Sequence, residues 1–355
     1  MPETADTRKR SIRFRASREP PSTARSGDPA RSPPRAAAAS VRAVKSRRSS
    51  RFVRFAWTFC AYLLFVILFG AWVRITHSGA GCGSHWPTCN GEIIPLSPSW
   101  ETVVEYTHRL TSGLLGVFGI VLVGWAARQS RRVLGAALVT FAFIVVEALI
   151  GAGLVLRELV ADDASGARAI VIALHLANTL VLTGAAALVA WWGHDVRPVA
   201  WTSSPRAGRR MLLVLAVLVL TAVTGAITAL GDTLFPVQHG LVEGGGLGRL
   251  RDDLSAANHF LVRLRIVHPV IAVSATGIVL LITAWLREPG RCDATTVKLA
   301  TGLRHLAVTQ LVLGIINIGL AAPGWMQLLH LLVAQALWMI AVLTWISAIS
   351  VSRES

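Results

Sequence analysis

The apolar residues of this chain are gathered into eight long runs that short polar segments separate. The runs cover approximately residues 55–74, 104–127, 133–156, 168–192, 211–231, 260–286, 301–321 and 327–349. A helix needs roughly 20 apolar residues to cross the hydrocarbon core of a bilayer, and each run is about that long. The pattern therefore predicts an all-α integral membrane protein with eight transmembrane helices, numbered here in chain order.

The second half of the chain repeats the first. In helix 4, "LHLANTLVLTGAAALVAWW" is echoed by "LHLLVAQALWMIAVLTW" in helix 8, and "HRLTSGLLGVFGIVL" in helix 2 is echoed by "HPVIAVSATGIVL" in helix 6. Four spans per half give both halves the same orientation, which is typical of a parallel repeat. We therefore expect two pseudo-symmetric four-helix bundles, residues 55–192 and 211–350, joined by a cytoplasmic linker at 193–210.

Positive charge is unevenly placed along the chain. Residues 1–54 hold fifteen Lys and Arg against four acids, in a Pro-, Ser- and Arg-rich sequence that predicts a basic, disordered tail. Lys and Arg return in the 2–3, 4–5 and 6–7 links, whereas Ile75 to His108 has none. Since positive charge accumulates on the cytoplasmic side, we expect both termini inside and the first loop outside.

The composition limits the kinds of partner that the sequence predicts. The formal net charge is +16, but only 15% of the 355 residues are charged and 53% are hydrophobic. The basic excess therefore reflects the tail and the topology, and the sequence offers no polar folded domain that would carry a nucleic-acid interface. A lipid bilayer is the expected surrounding.

Four histidines occupy matching places in the repeat: His108, His175, His268 and His330. Each lies within about 12 Å of the outer end of its helix, by the rise of 1.5 Å per residue. Ionisable residues inside a membrane indicate function by default. One histidine from each of two facing helices suits bis-imidazole ligation of haem iron, whereas zinc or copper would want more converging ligands. We expect one haem in each half, with His259 as an alternative to His268.

The two halves differ around these histidines. Glu105 lies three residues before His108, on the same helix face, and Arg109 follows directly. The other half has no acid three residues before its histidine, and Pro269 replaces the arginine. This asymmetry predicts a reaction site in the N-terminal half and a structural or electron-relay haem in the C-terminal half. An ion pair of Glu105 with Arg109 or Arg74 is the alternative interpretation. The candidate contacts for haem propionates are Arg74, Arg109 and Arg265.

The first outer loop contains "GAGCGSHWPTC". It places Cys82 and Cys89 on the outside, where disulfides form and persist. Three interpretations stay open: a structural staple, a redox-active pair, or a metal site that includes His85. The loop leads within about sixteen residues to Glu105, so we expect it to cover the reacting haem.

Five motifs carry a resemblance to a known family, the haem A synthases, in their cysteine-bearing bacterial branch. They are "GAWVRITHSGAGC", "CGSHWPTCNGEIIP", "EYTHRLTSG", "LHLANTLVLTGA" and "LLHLLVAQALW", and the resemblance covers roughly residues 55–350. It implies oxidation of the C8 methyl of haem O to a formyl group, by successive hydroxylations, which yields haem A for terminal oxidases.

The resemblance also implies roles for residues. His108 and His175 would ligate the substrate haem, His268 and His330 a haem b, and Glu105 would be catalytic. The outer-loop pair Cys82 and Cys89 would form a disulfide. The implied partners are haem O and haem O synthase, an unidentified membrane electron donor and terminal oxidase assembly, all at the bacterial cell membrane.

One departure from the family and one rival function qualify this interpretation. Some relatives carry a second cysteine pair in the outer loop between helices 5 and 6, and this chain has none there. A dihaem b-type electron-transfer protein would also need two histidine pairs. Glu105, present beside the histidine of only one half, favours the enzyme.

Overall fold

The computed structural model of the protein describes residues 35–194, 204–237 and 253–350, with side chains from residue 50 onward. The predicted tail up to residue 34 and half of the predicted linker lie outside these ranges. Within them the regular structure is helical, apart from one isolated bridge between Cys89 and Glu92. Eight helices there are long and apolar enough to cross a membrane, which confirms the predicted fold class.

The eight helices are numbered α1–α8. They are α1 Arg35–Ile75, α2 Trp100–Ala126, α3 Arg131–Leu156, α4 Gly166–His194, α5 Pro205–Leu234, α6 Phe260–Leu286, α7 Ala294–Gly319 and α8 Gly324–Ala348. Helix α6 opens with a short turn, Phe260–Arg263, and a 3-10 segment, Leu264–Ile266, before its main part, Val267–Leu286.

Several helices begin before the apolar runs that predict them. The Ser99 hydroxyl accepts the Thr102 backbone N–H at 3.2 Å, so α2 begins at Trp100. The Asp293 carboxylate accepts the Thr296 N–H at 2.9 Å, so α7 begins at Ala294. Such side chains satisfy backbone donors that a helix start leaves free. The polar caps therefore set these starts, several residues ahead of the hydrophobic segment.

The sequence predicts disorder for residues 1–54, but helix α1 begins at Arg35. Residues 35–54 contain no proline and are rich in alanine and arginine, which are good helix formers. The part of α1 suited to a membrane is Ser50–Ile75. The predicted linker is also shorter than expected, since α4 ends at His194 and α5 begins at Pro205.

Two hydrophobic cores hold the helices together. The first joins α1–α4 through residues such as Phe59, Leu122 and Leu182, and the second joins α5–α8 through residues such as Met211 and Leu303. A smaller cluster of side chains from α4, α5 and α8 lies between them. The two cores agree with a division into four-helix sets, while the pseudo-symmetry and the domain boundaries stay predictions.

The outward faces of the helices are apolar. Large side chains such as Ile120 and Leu281 are 60% and 74% exposed. In water such surfaces would be costly, whereas hydrocarbon accommodates them. The protein is therefore a multi-pass membrane protein.

Candidate functional site

One cavity of about 1510 Å³ runs through the bundle and is lined by residues of all eight helices. The four predicted histidines line it, one each from α2, α4, α6 and α8: His108, His175, His268 and His330. The structure thus brings the predicted ligands to one internal space.

The structure also distinguishes His268 from its alternative. His259 precedes α6, where its Nδ1 accepts the Leu261 backbone N–H at 3.3 Å and its ring stacks on Phe235 with centroids 4.8 Å apart. His259 is not among the described residues that line the cavity, whereas His268 is. Its contacts are those of a helix cap, and the choice of His268 as the ligand stays a prediction.

The two histidines of the C-terminal half, His268 and His330, lie opposite each other in the cavity. The ring centroids of His268 and His330 are 6.5 Å apart. His268 Nδ1 lies 3.1 Å from the Thr221 carbonyl oxygen, to which a protonated Nδ1 donates, leaving Nε2 as the nitrogen with a lone pair. His330 Nε2 lies 2.9 Å from the Gln310 amide nitrogen, which can only donate. Gln310 therefore holds His330 through the nitrogen that an iron would need.

The N-terminal pair has different neighbours. His108 packs against Gly70 of α1, where an added Cβ would come within 3.1 Å of the ring. Gly225 of α5 stands in the same way against His268, at 2.9 Å. At both places a helix backbone passes so close to an imidazole that a larger residue would displace the ring. His175 has a charged neighbour instead, since its Nδ1 lies 2.8 Å from Glu147 Oε1.

Glu105 is buried, with its residue only 3% exposed, and it lines the cavity on the same helix as His108. Its Oε1 accepts hydrogen bonds from Arg109 Nε at 3.1 Å and from Arg109 Nη2 at 2.5 Å. Its Oε2 accepts the Cys82 backbone N–H at 2.8 Å. The ion pair expected by the alternative interpretation is therefore present, and the catalytic role of Glu105 stays a prediction.

The outer loop is closed by the predicted disulfide between Cys82 and Cys89. Gly81 lies directly against the first turn of α2, since a Cβ there would come within 2.3 Å of the Glu101 backbone. The Gly81 carbonyl accepts the Thr102 hydroxyl at 2.6 Å. Part of the loop, Trp86, Pro87 and Thr88, lines the cavity. The loop thus covers the end of the cavity where Glu105 lies, as the sequence predicts.

The three arginines predicted to meet propionates all line the cavity, but protein groups already engage them. Arg74 donates to the Ala229 carbonyl at 2.6 Å and to Gln327 Oε1 at 2.9 Å, and it also contacts Thr233. Arg265 Nε lies 2.8 Å from Asp232 Oδ1. Arg109 is engaged with Glu105 and with two loop carbonyls. These side chains anchor the cavity wall, and their contact with propionates stays a prediction.

Sequence reasoning missed Arg168, near the start of α4 and seven residues before His175. It is 4% exposed and lines the cavity. Its Nη1 donates to the carbonyls of Ala161 and Asp163 at 2.6 and 2.7 Å, while the buried Nε has no hydrogen-bond partner among the described residues. The spacing of two helical turns from a predicted ligand histidine was the available signal. An arginine with a free donor in this cavity suits a carboxylate.

These residues fit haem. The buried Nδ1 atoms of His108 and His330 have no hydrogen-bond partner among the described residues, so each ring retains an unused polar atom inside the cavity. The 6.5 Å between the rings of His268 and His330 is close to the span of two imidazoles on one metal ion, given metal–nitrogen bonds of about 2 Å. The cavity wall is mostly apolar, with arginines near the end that the disulfide loop covers, which matches a macrocycle with two carboxylates.

Fold and cavity together define a class: multi-pass membrane proteins with histidines from four helices directed at one internal space. A family model described as cytochrome oxidase assembly protein matches residues 53–342. The chain belongs to this family, that of the haem A synthases, which confirms the resemblance carried by the motifs.

Individual relatives agree with this assignment over different lengths. A protein of Thermus thermophilus named protoheme IX farnesyltransferase is 44% identical over 310 residues, which are 86% of this chain and 50% of that protein. A heme A synthase of Alkalihalophilus pseudofirmus is 46% identical over 96 residues, 26% of this chain and 32% of the relative. A heme A synthase of Exiguobacterium is 38% identical over 122 residues, 34% of this chain and 38% of the relative. The chain spans about half the length of the Thermus relative.

Proposed function

We propose that the protein is a haem A synthase, an oxidoreductase that converts the C8 methyl of haem O to a formyl group by successive hydroxylations. One observation carries the proposal beyond family membership. The four predicted ligand histidines line one cavity, and a buried carboxylate, Glu105, lies one helical turn before His108. Arg265, three residues before His268, occupies the corresponding place in the other half. Two histidine pairs with different side chains beside them suit one reacting haem and one auxiliary haem.

The ligand roles follow the two pairs. His108 and His175 hold the substrate haem, and His268 and His330 hold a haem b. The contact of His268 Nδ1 with the Thr221 carbonyl supports this role, because it leaves Nε2 for a metal. Gln310 must release His330 Nε2 when that ring binds iron, since the nitrogen has a single lone pair.

When bound, the haems supply the redox chemistry, with electrons from a membrane donor. The chain contributes orientation, exclusion of water and a carboxylate. Glu105 is fixed by Arg109 on one side and by the Cys82 backbone on the other, so its oxygens keep one position in the cavity. Trp86 and Pro87 close the outer end above it. A preorganised carboxylate of this kind can accept or deliver a proton beside the reacting methyl group.

The immediate partners follow from the substrate. Farnesyl transfer to protohaem generates haem O, and the Thermus relative named for that transfer contains a region similar to this chain within a longer polypeptide. We infer that a haem O synthase acts next to this protein and delivers haem O through the membrane. The product, haem A, passes to the assembly of terminal oxidases.

The orientation follows the charge pattern. Lys and Arg are concentrated in the tail and in the 2–3, 4–5 and 6–7 links. Both termini therefore lie in the cytoplasm, and the disulfide loop lies outside. The cell membrane of a bacterium is the compartment that fits such an arrangement, since its outer side supports disulfides.

Haem analysis of the purified protein tests this function. Expressed with a haem O synthase, the protein should contain a formyl haem, seen as a red shift of the pyridine haemochrome spectrum and as haem A on chromatography. Expressed without one, it should contain haem b. If haem b alone is found in both preparations, the synthase is excluded and the dihaem electron carrier is favoured.

A further inference from the structure

Glu147 of α3 stands beside His175 inside the membrane. Its Oε1 lies 2.8 Å from His175 Nδ1, to one side of the N–H direction, so a turn of the imidazole completes a hydrogen bond. Both residues line the cavity. A carboxylate on the far nitrogen of a histidine is the arrangement that orients metal-ligating imidazoles and raises their basicity.

The carboxylate is held in place by α4. Asn178 donates to its Oε2, and the Thr179 hydroxyl donates to its Oε1. Asn178 is itself fixed by the Phe143 carbonyl, which accepts its amide at 3.0 Å. Both oxygens of Glu147 thus act as acceptors, and donors on the helix that carries His175 determine their position. The group cannot drift away from the imidazole without breaking these bonds.

The other half of the molecule has a neutral residue at the related position. Glu147 precedes Gly151 by four residues, and Gln310 precedes Gly314 by four in the echoing segment of α7. Gln310 contacts His330 through its amide at 2.9 Å. The partner of His268 is the Thr221 carbonyl, also neutral. Among the described contacts of the four predicted ligand histidines, an anionic partner occurs only at His175.

We propose that Glu147 is a positioning residue that accepts a hydrogen bond from the Nδ1–H of His175. This bond leaves Nε2 as the nitrogen for the iron of the N-terminal haem, and the carboxylate charge strengthens that ligand. A more electron-rich imidazole favours ferric over ferrous iron, so the N-terminal haem has a lower midpoint potential than its ligand pair alone would give. This inference rests on the proposed assignment of His175 as a haem ligand. The charge of Glu147 is then a second difference between the halves, besides Glu105, that suits the different roles proposed for the two haems.

The test compares two variants of Glu147 with a matched variant of the other half. Glu147→Gln removes the charge and keeps an acceptor, Glu147→Leu removes both, and Gln310→Leu alters the related position. Each full-length protein is loaded with haem, and the midpoint potential of each haem is measured by spectroelectrochemistry. His175→Ala identifies which potential belongs to the N-terminal haem, and the retained C-terminal spectrum shows that each variant is folded.

We expect the N-terminal potential to rise in Glu147→Gln and further in Glu147→Leu, with loss of the N-terminal haem faster by about 10-fold or more in Glu147→Leu. Gln310→Leu should leave that potential unchanged. An unchanged N-terminal potential in both Glu147 variants overturns the proposal, and reduced turnover in that case assigns Glu147 to proton supply. Shifted potentials in a protein that fails to convert haem O support this inference while refuting the proposed function. Retention of both haems in His175→Ala overturns the ligand assignment and this inference together.

Discussion

The backbone N–H of Cys82 donates a hydrogen bond of 2.8 Å to Oε2 of Glu105, so the disulfide loop is attached directly to the carboxylate proposed for catalysis. Arg109 completes the connection, since it binds the other oxygen of Glu105 and donates from Nη1 to the His85 and Thr88 carbonyls at 2.7 Å each. Loop, arginine and carboxylate therefore form one unit at the outer end of the cavity, and a change in the loop displaces the carboxylate.

Removal of the disulfide should lower conversion more than haem content. Replacing both Cys82 and Cys89 by serine releases a short loop whose closure is worth roughly 2–3 kcal/mol of unfolded-state entropy. The Cys82 N–H then no longer holds Glu105 in one place. We expect the haem A fraction to fall while total haem is retained, measured by chromatography of extracted haem. Cys60→Ser in α1 is the control. Equal haem A fractions in the wild type, the double serine variant and Cys60→Ser would show that the disulfide does not position Glu105.

Glu105→Gln should slow haem A formation by a factor of about 100 or more, which is the range for loss of a positioned acid or base. The amide oxygen can still accept the Cys82 N–H, so the loop and the haem content should persist. The measurement is the ratio of haem A to total haem after coexpression with a haem O synthase. Glu101→Gln changes an exposed acid one turn earlier and should leave that ratio unaltered. Loss of all haem from Glu105→Gln would assign a structural role instead.

Substitution of either C-terminal histidine should remove haem b. His268→Ala and His330→Ala each leave one imidazole on a cavity built for two, and the low-spin haem b spectrum should disappear. His259→Ala removes a cap and a ring contact outside the cavity, so that spectrum should remain. A low-spin haem b retained in both His268→Ala and His330→Ala would contradict the assignment.

The helices and the four histidines that line the cavity could be predicted because their signals are local. Long apolar runs need no knowledge of packing, and four histidines in a repeat can be compared by position alone. Helix starts were less accessible, since polar caps such as Ser99 and Asp293 extend α2 and α7 beyond the apolar runs. The helical stretch of α1 before residue 55 was missed because charge and serine content outweighed its alanines in the prediction.

The electrostatic details of the cavity depended on contacts between distant parts of the chain. In the sequence Glu147 has no visible partner, yet it meets His175, Asn178 and Thr179 because α3 and α4 pack side by side. Likewise the partners of Arg74 lie on α5 and α8, more than 150 residues away. Pairings of this kind follow from tertiary packing, so residue spacing alone could not provide them.

Arg168→Gln should weaken haem binding in the N-terminal half. The buried Nε of Arg168 has no partner among the described residues, and a charge-assisted bond to a carboxylate is worth about 1.5–3 kcal/mol, or roughly 10- to 100-fold in affinity. We expect faster loss of the N-terminal haem in detergent, followed by its absorbance, with Arg168→Lys intermediate. Unchanged retention in Arg168→Gln would show that the guanidinium serves only the Ala161 and Asp163 carbonyls.

Cys292 provides a test of orientation. It lies in the link between α6 and α7, where burial, followed by the neighbouring charge of Asp293, raises the pKa of its thiol. Because the thiolate is the reactive form, a raised pKa leaves less of it at neutral pH. A membrane-impermeant maleimide should therefore label Cys292 slowly at pH 7, faster as the pH rises, and only in inverted vesicles. Cys292→Ser identifies the labelled site, because Cys60 is buried in α1 and should not react. Labelling of Cys292 in intact cells would place this link outside and reverse the proposed orientation.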